Sequence, residues 1–284
     1  MIPENSLHLA SGHWSATIWP GFGANTVRLR YKEQDILRWP AHVRELREAP
    51  HLYGMPLLVP PNRVEDGEFA FDGRTYQLQR NEPRYGNHIH GLMADAPFTV
   101  VRGSGNEVVC EYENRGERYP FAFRMTVVVS LDGRGFRQEI IIANTAESDM
   151  PVMLGIHTAF VEPATFCVPI GRRWETDSRH LPTGVLLELN AREREYRHGC
   201  RTGDEPISGF YTAIGQRARI GDFSYRMSDN FTQWVLFNGG GGKGFLCVEP
   251  QSGPVNGLNC TDGYIRLKKG ESARFWTAVS REGE

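Results

Sequence analysis

The chain contains 284 residues, including 31 glycines and 17 prolines, a larger share of turn-forming residues than an average protein has. Its formal net charge is −2, and both signs of charge are mixed along the chain, which excludes the basic footprint of a nucleic-acid-binding protein. The most apolar run, residues 127–131, is far shorter than the roughly 20 residues that a membrane-spanning helix needs. We therefore expect a soluble globular protein with neither a nucleic-acid nor a membrane partner.

The N-terminal residues 1–12 lack the basic and apolar regions of a secretory signal. The five cysteines are scattered, and none of their spacings is typical of zinc sites. Each cysteine is best interpreted as a small buried apolar side chain. These observations favour a reducing, cytoplasmic location.

Short β-branched and aromatic runs, most of them ending in Gly, Pro, Asn or Asp, predict a chain made mainly of strands. In chain order, the predicted strands are residues 16–18, 26–31, 68–71, 75–78, 98–102, 107–113, 123–131, 136–143, 152–160, 231–237, 244–248 and 273–279. One short helix is predicted over residues 41–47, between two prolines. Without alternating long helices, a parallel α/β fold is not expected.

Two Asp-Gly pairs, Asp72-Gly73 and Asp132-Gly133, lie between alternating runs and predict β-hairpins, because Asp-Gly supplies the positive φ angles of type I′ turns. No linker, composition break or repeat divides the chain. The predicted fold class is all-β: one domain over residues 1–284, with two or more packed antiparallel sheets and very little helix.

Three segments place ionisable residues within apolar, turn-flanked sequence. His88 and His90 would share one face of an extended segment, and His157 lies within a hydrophobic strand. Glu249 ends a run of four apolar residues, and the following Pro250 favours an extended backbone there. A carboxylate in apolar surroundings has a raised pKa, as a general base near neutral pH requires.

Each of these residues also has a structural interpretation. A histidine in a hydrophobic strand is more often a core residue with a satisfied ring, and a strand-end glutamate often pairs with an arginine. The same side chains are the types that bind zinc, although no spacing among them favours a metal. Because motifs of serine hydrolases, zinc proteases and kinases are absent from the sequence, the functional alternative is acid/base chemistry without a covalent nucleophile.

The sequence around these residues resembles the aldose 1-epimerase family of galactose mutarotase-like sugar isomerases. The matching blocks follow the family order from about residue 18 to residue 276. They are GMPLLVPPNR at 54–63, GEFAFDGRTYQL at 67–78, NEP at 81–83, NHIHG at 87–91, GIH at 155–157, WETDSRHLPTG at 174–184 and CVEPQSGP at 247–254, followed by Asn259.

The resemblance implies a β-supersandwich that interconverts the α and β anomers of an aldose. It implies that Glu249 removes the proton of the C1 hydroxyl and that His157 protonates the ring oxygen. His90 resembles the residue that hydrogen-bonds the ring-oxygen and C1 region. A histidine held protonated beside a desolvated carboxylate would bring both groups near the working pH.

For the substrate-binding residues, the resemblance implies that Arg63 and Gln251 contact the sugar. Ser208 stands where the family usually has an aspartate, and a neutral hydroxyl holds a sugar hydroxyl less strongly than a carboxylate does. The identity of the sugar therefore stays open. Arg80 and Arg84 either belong to a solvated loop or favour an acidic or phosphorylated sugar.

Three functions are compatible with these residues. The first is a mutarotase that needs no cofactor or metal and has a small-molecule sugar as its partner, acting as a monomer or homodimer. The second is a carbohydrate-binding or sugar-sensing protein of the same fold that has lost turnover. The third is a hexose-6-phosphate mutarotase.

Overall fold

The computed structural model describes residues 5–283, and antiparallel strands make up most of its regular structure. The first thirteen strands are β1 (Leu7–Ser11), β2 (Trp14–Trp19), β3 (Asn25–Tyr31), β4 (Gln34–Asp35), β5 (Leu57–Leu58), β6 (Arg63–Val64), β7 (Glu68–Phe71), β8 (Arg74–Gln77), β9 (His88–Ile89), β10 (Thr99–Gly103), β11 (Glu107–Asn114), β12 (Phe123–Asp132) and β13 (Gly135–Asn144). The following strands are β14 (Met150–Val152), β15 (Gly155–Ile156), β16 (Ala159–Val161), β17 (Phe166–Cys167), β18 (Ile170–Thr176), β19 (Pro182–Leu187), β20 (Ser208–Ala213), β21 (Arg217–Ile220), β22 (Phe223–Met227), β23 (Gln233–Phe237), β24 (Phe245–Gln251), β25 (Ile265–Leu267) and β26 (Ser272–Arg281).

Helices are few and short. The α-helices of the described part are α1 (Val43–Glu48) and α2 (Ala191–His198), and single 3₁₀ turns occupy Pro50–Leu52, Glu65–Gly67 and Gly257–Asn259. Between residues 5 and 283, no helix has the length and apolar character needed to cross a membrane.

Two eight-stranded sheets dominate the architecture. The first has the order β10-β11-β12-β13-β26-β22-β21-β17. The second has the order β19-β18-β20-β23-β24-β15-β5, and β16 also pairs with β24. A four-stranded sheet, β1-β2-β3-β4, and the two-stranded pairs β14-β25, β6-β9 and β7-β8 complete the fold.

The core faces of these sheets follow from the alternation of side chains along each strand. In β12, every second side chain from Phe123 to Leu131 is buried, and the side chains between them are partly or fully exposed. The two large sheets meet at Tyr225 of β22, whose ring lies 5.2 Å from that of Phe160 and 6.1 Å from that of Trp234. Residues of both sheets therefore belong to one main apolar core.

The structure confirms the predicted all-β antiparallel fold and the short helix near residues 41–47, which is observed as α1. The sequence analysis missed α2. This helix begins with a capping box, in which the Asn190 side chain accepts from the Glu193 backbone and the Glu193 side chain accepts from the Asn190 backbone. Asparagine followed three residues later by glutamate is thus a signal that could have predicted the helix.

Both predicted hairpins form, but only one has the predicted turn. Asp72 and Gly73 have φ angles of 48° and 72° between β7 and β8, as a type I′ turn requires. Asp132 and Gly133 are not among the residues with positive φ. There the Asp132 carboxylate accepts from the backbone N–H groups of Arg134 and Gly135, so that a side chain instead of a left-handed backbone closes the turn.

The single strand predicted over residues 152–160 is wrong, because this segment forms three short strands separated by two interruptions. It forms β14 on β25, then β15 between β5 and β24, then β16 on β24. Glu249 also differs from its predicted place at a strand end, since β24 continues through Pro250 to Gln251. These two differences position the site described next.

Candidate active site

A cavity of about 400 Å³ opens between the second large sheet and the β6-β9 pair. Strands β20, β23 and β24 contribute one wall, and residues from β6, β9 and the loops beside them contribute the other. The lining residues are Asn62, Arg63, Ile89, His90, His157, His180, Ser208, Phe210, Val235, Leu236, Phe237 and Glu249. Five of the six site residues predicted from the sequence, all except Gln251, therefore line this cavity.

Glu249 and His157 are in direct contact in the wall of the cavity. His157 Nε2 lies 3.2 Å from Glu249 Oε1, and the two side chains are 6% and 2% exposed. Glu249 is fixed by the register of β24 on β23, opposite Val235, and the His157 N–H donates to the carbonyl of Pro56 at 3.0 Å. The positions of both groups are thus set by backbone hydrogen bonds.

Burial sets the protonation of this Glu249–His157 pair. It raises the pKa of Glu249 to about 8, as the sequence analysis expected for a carboxyl in apolar surroundings. It lowers the pKa of His157 to about 3, so the expectation that this histidine is held protonated is wrong. Burial thus favours the uncharged form of each group, a carboxylic acid beside a neutral imidazole.

Gln251 lies beside the pair, outside the set of residues that line the cavity. The residue is 1% exposed, and its Nε2 donates to Glu249 Oε2 at 3.3 Å. This hydrogen bond lowers the pKa of Glu249, opposing the larger effect of burial. The sequence analysis expected Gln251 to contact the sugar. In the structure, its side chain contacts the Glu249 carboxyl group.

His90 is held in the cavity wall by a left-handed backbone. His90 and Gly91 have φ angles of 64° and 65°, and the His90 N–H donates to the carbonyl of Asn62 at 2.9 Å. This turn breaks the alternation that would have put His88 and His90 on one face. His88 is buried away from the cavity, and its Nδ1 lies 2.6 Å from the Gln79 carbonyl, in agreement with the structural interpretation of that residue.

Arg63 reaches the cavity from β6 while its guanidinium is anchored from behind. Its Nε and Nη2 donate to the Glu82 carboxylate at distances from 2.7 to 3.0 Å, and both side chains are largely buried. The remaining nitrogen, Nη1, has only a 3.5 Å contact with Asn62 Oδ1. Arg63 can thus offer a donor to a ligand hydroxyl from a fixed position.

The opposite wall combines one hydroxyl with apolar side chains. Ser208 is exposed and pairs in register with Phe237, and Phe210 follows on the same strand. Apolar walls with a few polar groups that fix orientation are typical of small-molecule sites.

Arg80 and Arg84 do not line the cavity. Arg80 Nε donates to the carbonyl of Asp66 at 2.8 Å, and the Arg84 guanidinium packs over the Tyr85 ring. Both arginines thus contact nearby residues that lie outside the cavity lining, which favours the interpretation that they belong to a solvated loop.

Several residues of the site were not singled out in the sequence analysis. Asn62 and His180 line the cavity, Glu82 anchors Arg63, and His51 contributes a third imidazole beside His90. Asn62 and His180 fall within the family-like blocks, which was a usable signal. Glu82 likewise falls within the NEP block at 81–83, whereas nothing local to His51 indicates that the fold brings it to this place.

One group of metal-ligand types lies in the site. Donor atoms of His157, Cys247 and Glu249 lie within 4.8 Å of one another, and all three residues are buried. Cys247 also packs against Ala159 and Phe245, and burial raises the pKa of its thiol well above the usual range. Because zinc binds the thiolate, an ion at this place would have to displace the proton of a thiol that burial keeps protonated.

A model of the aldose 1-epimerase family matches residues 6–280. The uncharacterised Escherichia coli protein YihR is 25% identical over 291 aligned residues, which cover 95% of this chain and 91% of YihR. A galactose mutarotase-like protein from Clostridium acetobutylicum has a TM-score of 0.90 at 25% identity, with 98% of this chain and 95% of that chain covered. Galactose 1-epimerase from Lactobacillus acidophilus shares the fold, with a TM-score of 0.80 at 15% identity and coverage of 99% and 96%.

Proposed function

This chain belongs to the aldose 1-epimerase family, and we propose that it is a mutarotase that interconverts the α and β anomers of an aldose by acid/base opening and closure of the ring. The observation that supports this most is the buried 3.2 Å contact between His157 Nε2 and Glu249 Oε1 in the cavity wall. A carboxyl and an imidazole that share one proton are the two groups that such a reaction needs.

The resting pair is a carboxylic acid beside a neutral imidazole. Moving the proton from Glu249 to His157 gives a carboxylate beside an imidazolium without changing the number of bound protons or the net charge. The polar hydroxyls of a bound sugar and the amide of Gln251 both stabilise the charged arrangement, the latter through its hydrogen bond to Glu249 Oε2.

In the charged arrangement, the Glu249 carboxylate takes the proton of the C1 hydroxyl as the His157 imidazolium gives its proton to the ring oxygen. The bond between C1 and the ring oxygen breaks, and the product is the open-chain aldehyde. The pair is then again a carboxylic acid and a neutral imidazole, the arrangement that burial favours. Rotation about the C1–C2 bond and the reverse proton movements close the ring with the opposite configuration at C1.

The remaining residues bind and orient the sugar. His90 donates a hydrogen bond to the ring-oxygen and C1 region, and Arg63 Nη1 and the Ser208 hydroxyl contact sugar hydroxyls. Gln251 acts through Glu249, as a positioning residue. Each acid or base contributes roughly 10²–10⁴ in rate, which is sufficient for a reaction that already proceeds in water. This mechanism uses no cofactor or metal.

Polarimetry on freshly dissolved single anomers tests the proposal. The screen should include free, phosphorylated and acidic aldoses, and it should compare the wild-type protein with Glu249→Gln. We expect acceleration of at least one sugar by the wild-type protein and its loss in the variant. Glu188→Gln, at an exposed position outside the cavity, is the matched control and should retain wild-type rates.

Two results would redirect the assignment. Calorimetric binding of a sugar without acceleration of any anomer would make the chain a carbohydrate-binding protein of this fold, the alternative that the neutral Ser208 motivates. Acceleration confined to phosphorylated sugars would make it a hexose-phosphate mutarotase. Wild-type rates in Glu249→Gln would overturn the proposed role of the carboxyl group.

A further inference from the structure

Three imidazoles form a cluster at the cavity wall, and the proposed reaction uses only two of them. The ring centroid of His51 lies 4.7 Å from that of His90 and 5.9 Å from that of His157, and the latter two are 5.2 Å apart. His51 is not among the residues that line the cavity. Its ring packs against His90 and His157 from outside the set of lining residues.

The backbone of His51 is held firmly. It is the central residue of the 3₁₀ turn Pro50–Leu52, whose first residue is a proline with a fixed φ. The N–H of Leu52 donates to the carbonyl of Ala49 at 3.0 Å, and the carbonyl of Leu52 accepts from Arg38 Nη1 at 3.2 Å. The ring therefore has a defined place from which to support its neighbours.

The interaction within the cluster is packing and not hydrogen bonding. The Nδ1 atoms of His51, His90 and His157 are buried without a hydrogen-bond partner in the described part of the chain. Burial lowers the pKa of His51 to about 4, and it lowers that of His90 well below its usual value. At neutral pH the three rings are thus uncharged flat surfaces in contact.

We propose that His51 is a positioning residue whose ring packs behind His90 and His157, directs their imidazoles towards the sugar and keeps water away from the Glu249–His157 pair. The catalytic consequence of this inference rests on the proposed function, whereas the packing role of His51 rests on the ring geometry. The His90 ring contacts both other imidazoles of the cluster, with centroids 4.7 Å from His51 and 5.2 Å from His157.

Removing the ring of His51 would open space beside groups whose protonation depends on the exclusion of water. Water in that space would weaken the desolvation that now raises the pKa of Glu249 and lowers the pKa of His157 and His90. The titratable and charged groups that face this cluster from the surrounding elements are His88, His90, His157, Glu249, Cys247, Arg38 and Arg63.

Three variants distinguish the effect of the His51 ring from the effect of its nitrogen atoms. His51→Phe keeps a flat ring, whereas His51→Ala removes it and His51→Asn leaves a short polar side chain. We expect the phenylalanine variant to retain kcat and its pH profile. In the alanine and asparagine variants we expect kcat to fall by about 10²-fold through misplacement of the two imidazoles, with little change in KM. His42→Ala, at the exposed residue before α1, is the matched control.

NMR titration of the imidazole groups gives a second readout that does not depend on activity. In His51→Ala and His51→Asn, the pKa of His157 and of His90 should rise towards the ordinary value near 6.5, whereas in His51→Phe both should stay low. Thermal unfolding identifies any variant that does not fold, and the asparagine variant then replaces the alanine variant.

Two outcomes would overturn the inference. If His51→Phe were as impaired as His51→Ala, a nitrogen atom of His51 would take part in the reaction and the packing role would be wrong. If the alanine and asparagine variants kept the wild-type imidazole pKa values, the ring would not exclude water from the pair. A wild-type protein that accelerates no anomer would contradict the proposed function, and the NMR titration would still decide the role of His51.

Discussion

His157 and Glu249 meet at an interruption in strand pairing. Strand β24 pairs with β16 through Cys247 and with β15 through Gln251, and His157 lies in the irregular stretch between these two pairings. Both pairings have the same register, which places His157 directly opposite Glu249 across the interruption, so that the two side chains meet. The contact is thus a product of sheet topology, and it suggests several measurable consequences.

The two groups should act as one catalytic unit. Glu249→Gln and His157→Asn should each lower kcat by roughly 10²–10⁴-fold, and the double variant should lose no more than the more severe single variant, because either change removes the shared proton transfer. Polarimetric rates of the four proteins would test this. Losses that multiply in the double variant would show that the groups act independently.

The pH dependence of the free energy of unfolding should reveal the raised pKa of Glu249. Since its pKa in the folded chain, about 8, lies above the ordinary value of 4.5, the folded chain binds one more proton than the unfolded chain between these pH values. The contribution of this carboxyl is complete below about pH 4.5 and is lost as the pH rises through about 8. Relative to Glu249→Gln, the free energy of unfolding of the wild-type protein should fall by about 1.4 kcal/mol per pH unit across this window.

Urea unfolding of both proteins between about pH 5 and 8 is the measurement. His157 has the opposite sign, since its pKa is lowered to about 3, so its contribution is present above its ordinary value of 6.5 and lost as the pH falls towards about 3. Comparing the wild-type protein with Glu249→Gln cancels much of that effect, because both retain the histidine. Parallel stability curves would contradict a raised pKa for Glu249.

Ser208 should affect the affinity for the sugar without taking part in the proton transfers. Because a charged acceptor makes a stronger hydrogen bond than a hydroxyl, Ser208→Asp should lower KM for a neutral aldose by up to about fivefold and leave kcat unchanged. Ser208→Ala should raise KM. A change in kcat with constant KM in either variant would place this residue closer to the reacting atoms than we propose.

Gly91 should be essential to the placement of His90. A Cβ atom added to Gly91 would lie 2.1 Å from the Val59 carbonyl oxygen, on a backbone with φ of 65°. Gly73 has a similar φ of 72° with no atom within 4 Å of its Cβ position, so Gly73→Ala isolates the conformational cost, about 1–2 kcal/mol. Gly91→Ala should lose more stability than this in urea unfolding and should also lower kcat. Equal losses in both variants would mean that the chain at Val59 can move aside.

Much of the fold could be predicted from the sequence because strands with one buried face alternate in hydrophobicity. Strands β12 and β13 lie within one residue of their predicted bounds at each end. The prediction failed where strand pairing, and not the hydrophobic pattern, decides the structure. Residues 152–160 are continuously apolar, yet they form three short strands with two interruptions. Helix α2 was missed although its capping box was visible, because its composition is strongly polar.

By itself, the sequence determined the all-β class and the residues His90, His157, Glu249, Arg63 and Ser208 that the fold brings to one cavity. These are matters of residue type and order, which the chain carries directly. Only the tertiary structure decided that burial lowers the pKa of His157, that Gln251 contacts Glu249, and that His51 completes a cluster of three rings. Protonation and support depend on what packs around a group from distant parts of the chain, and burial is a property of the folded molecule alone.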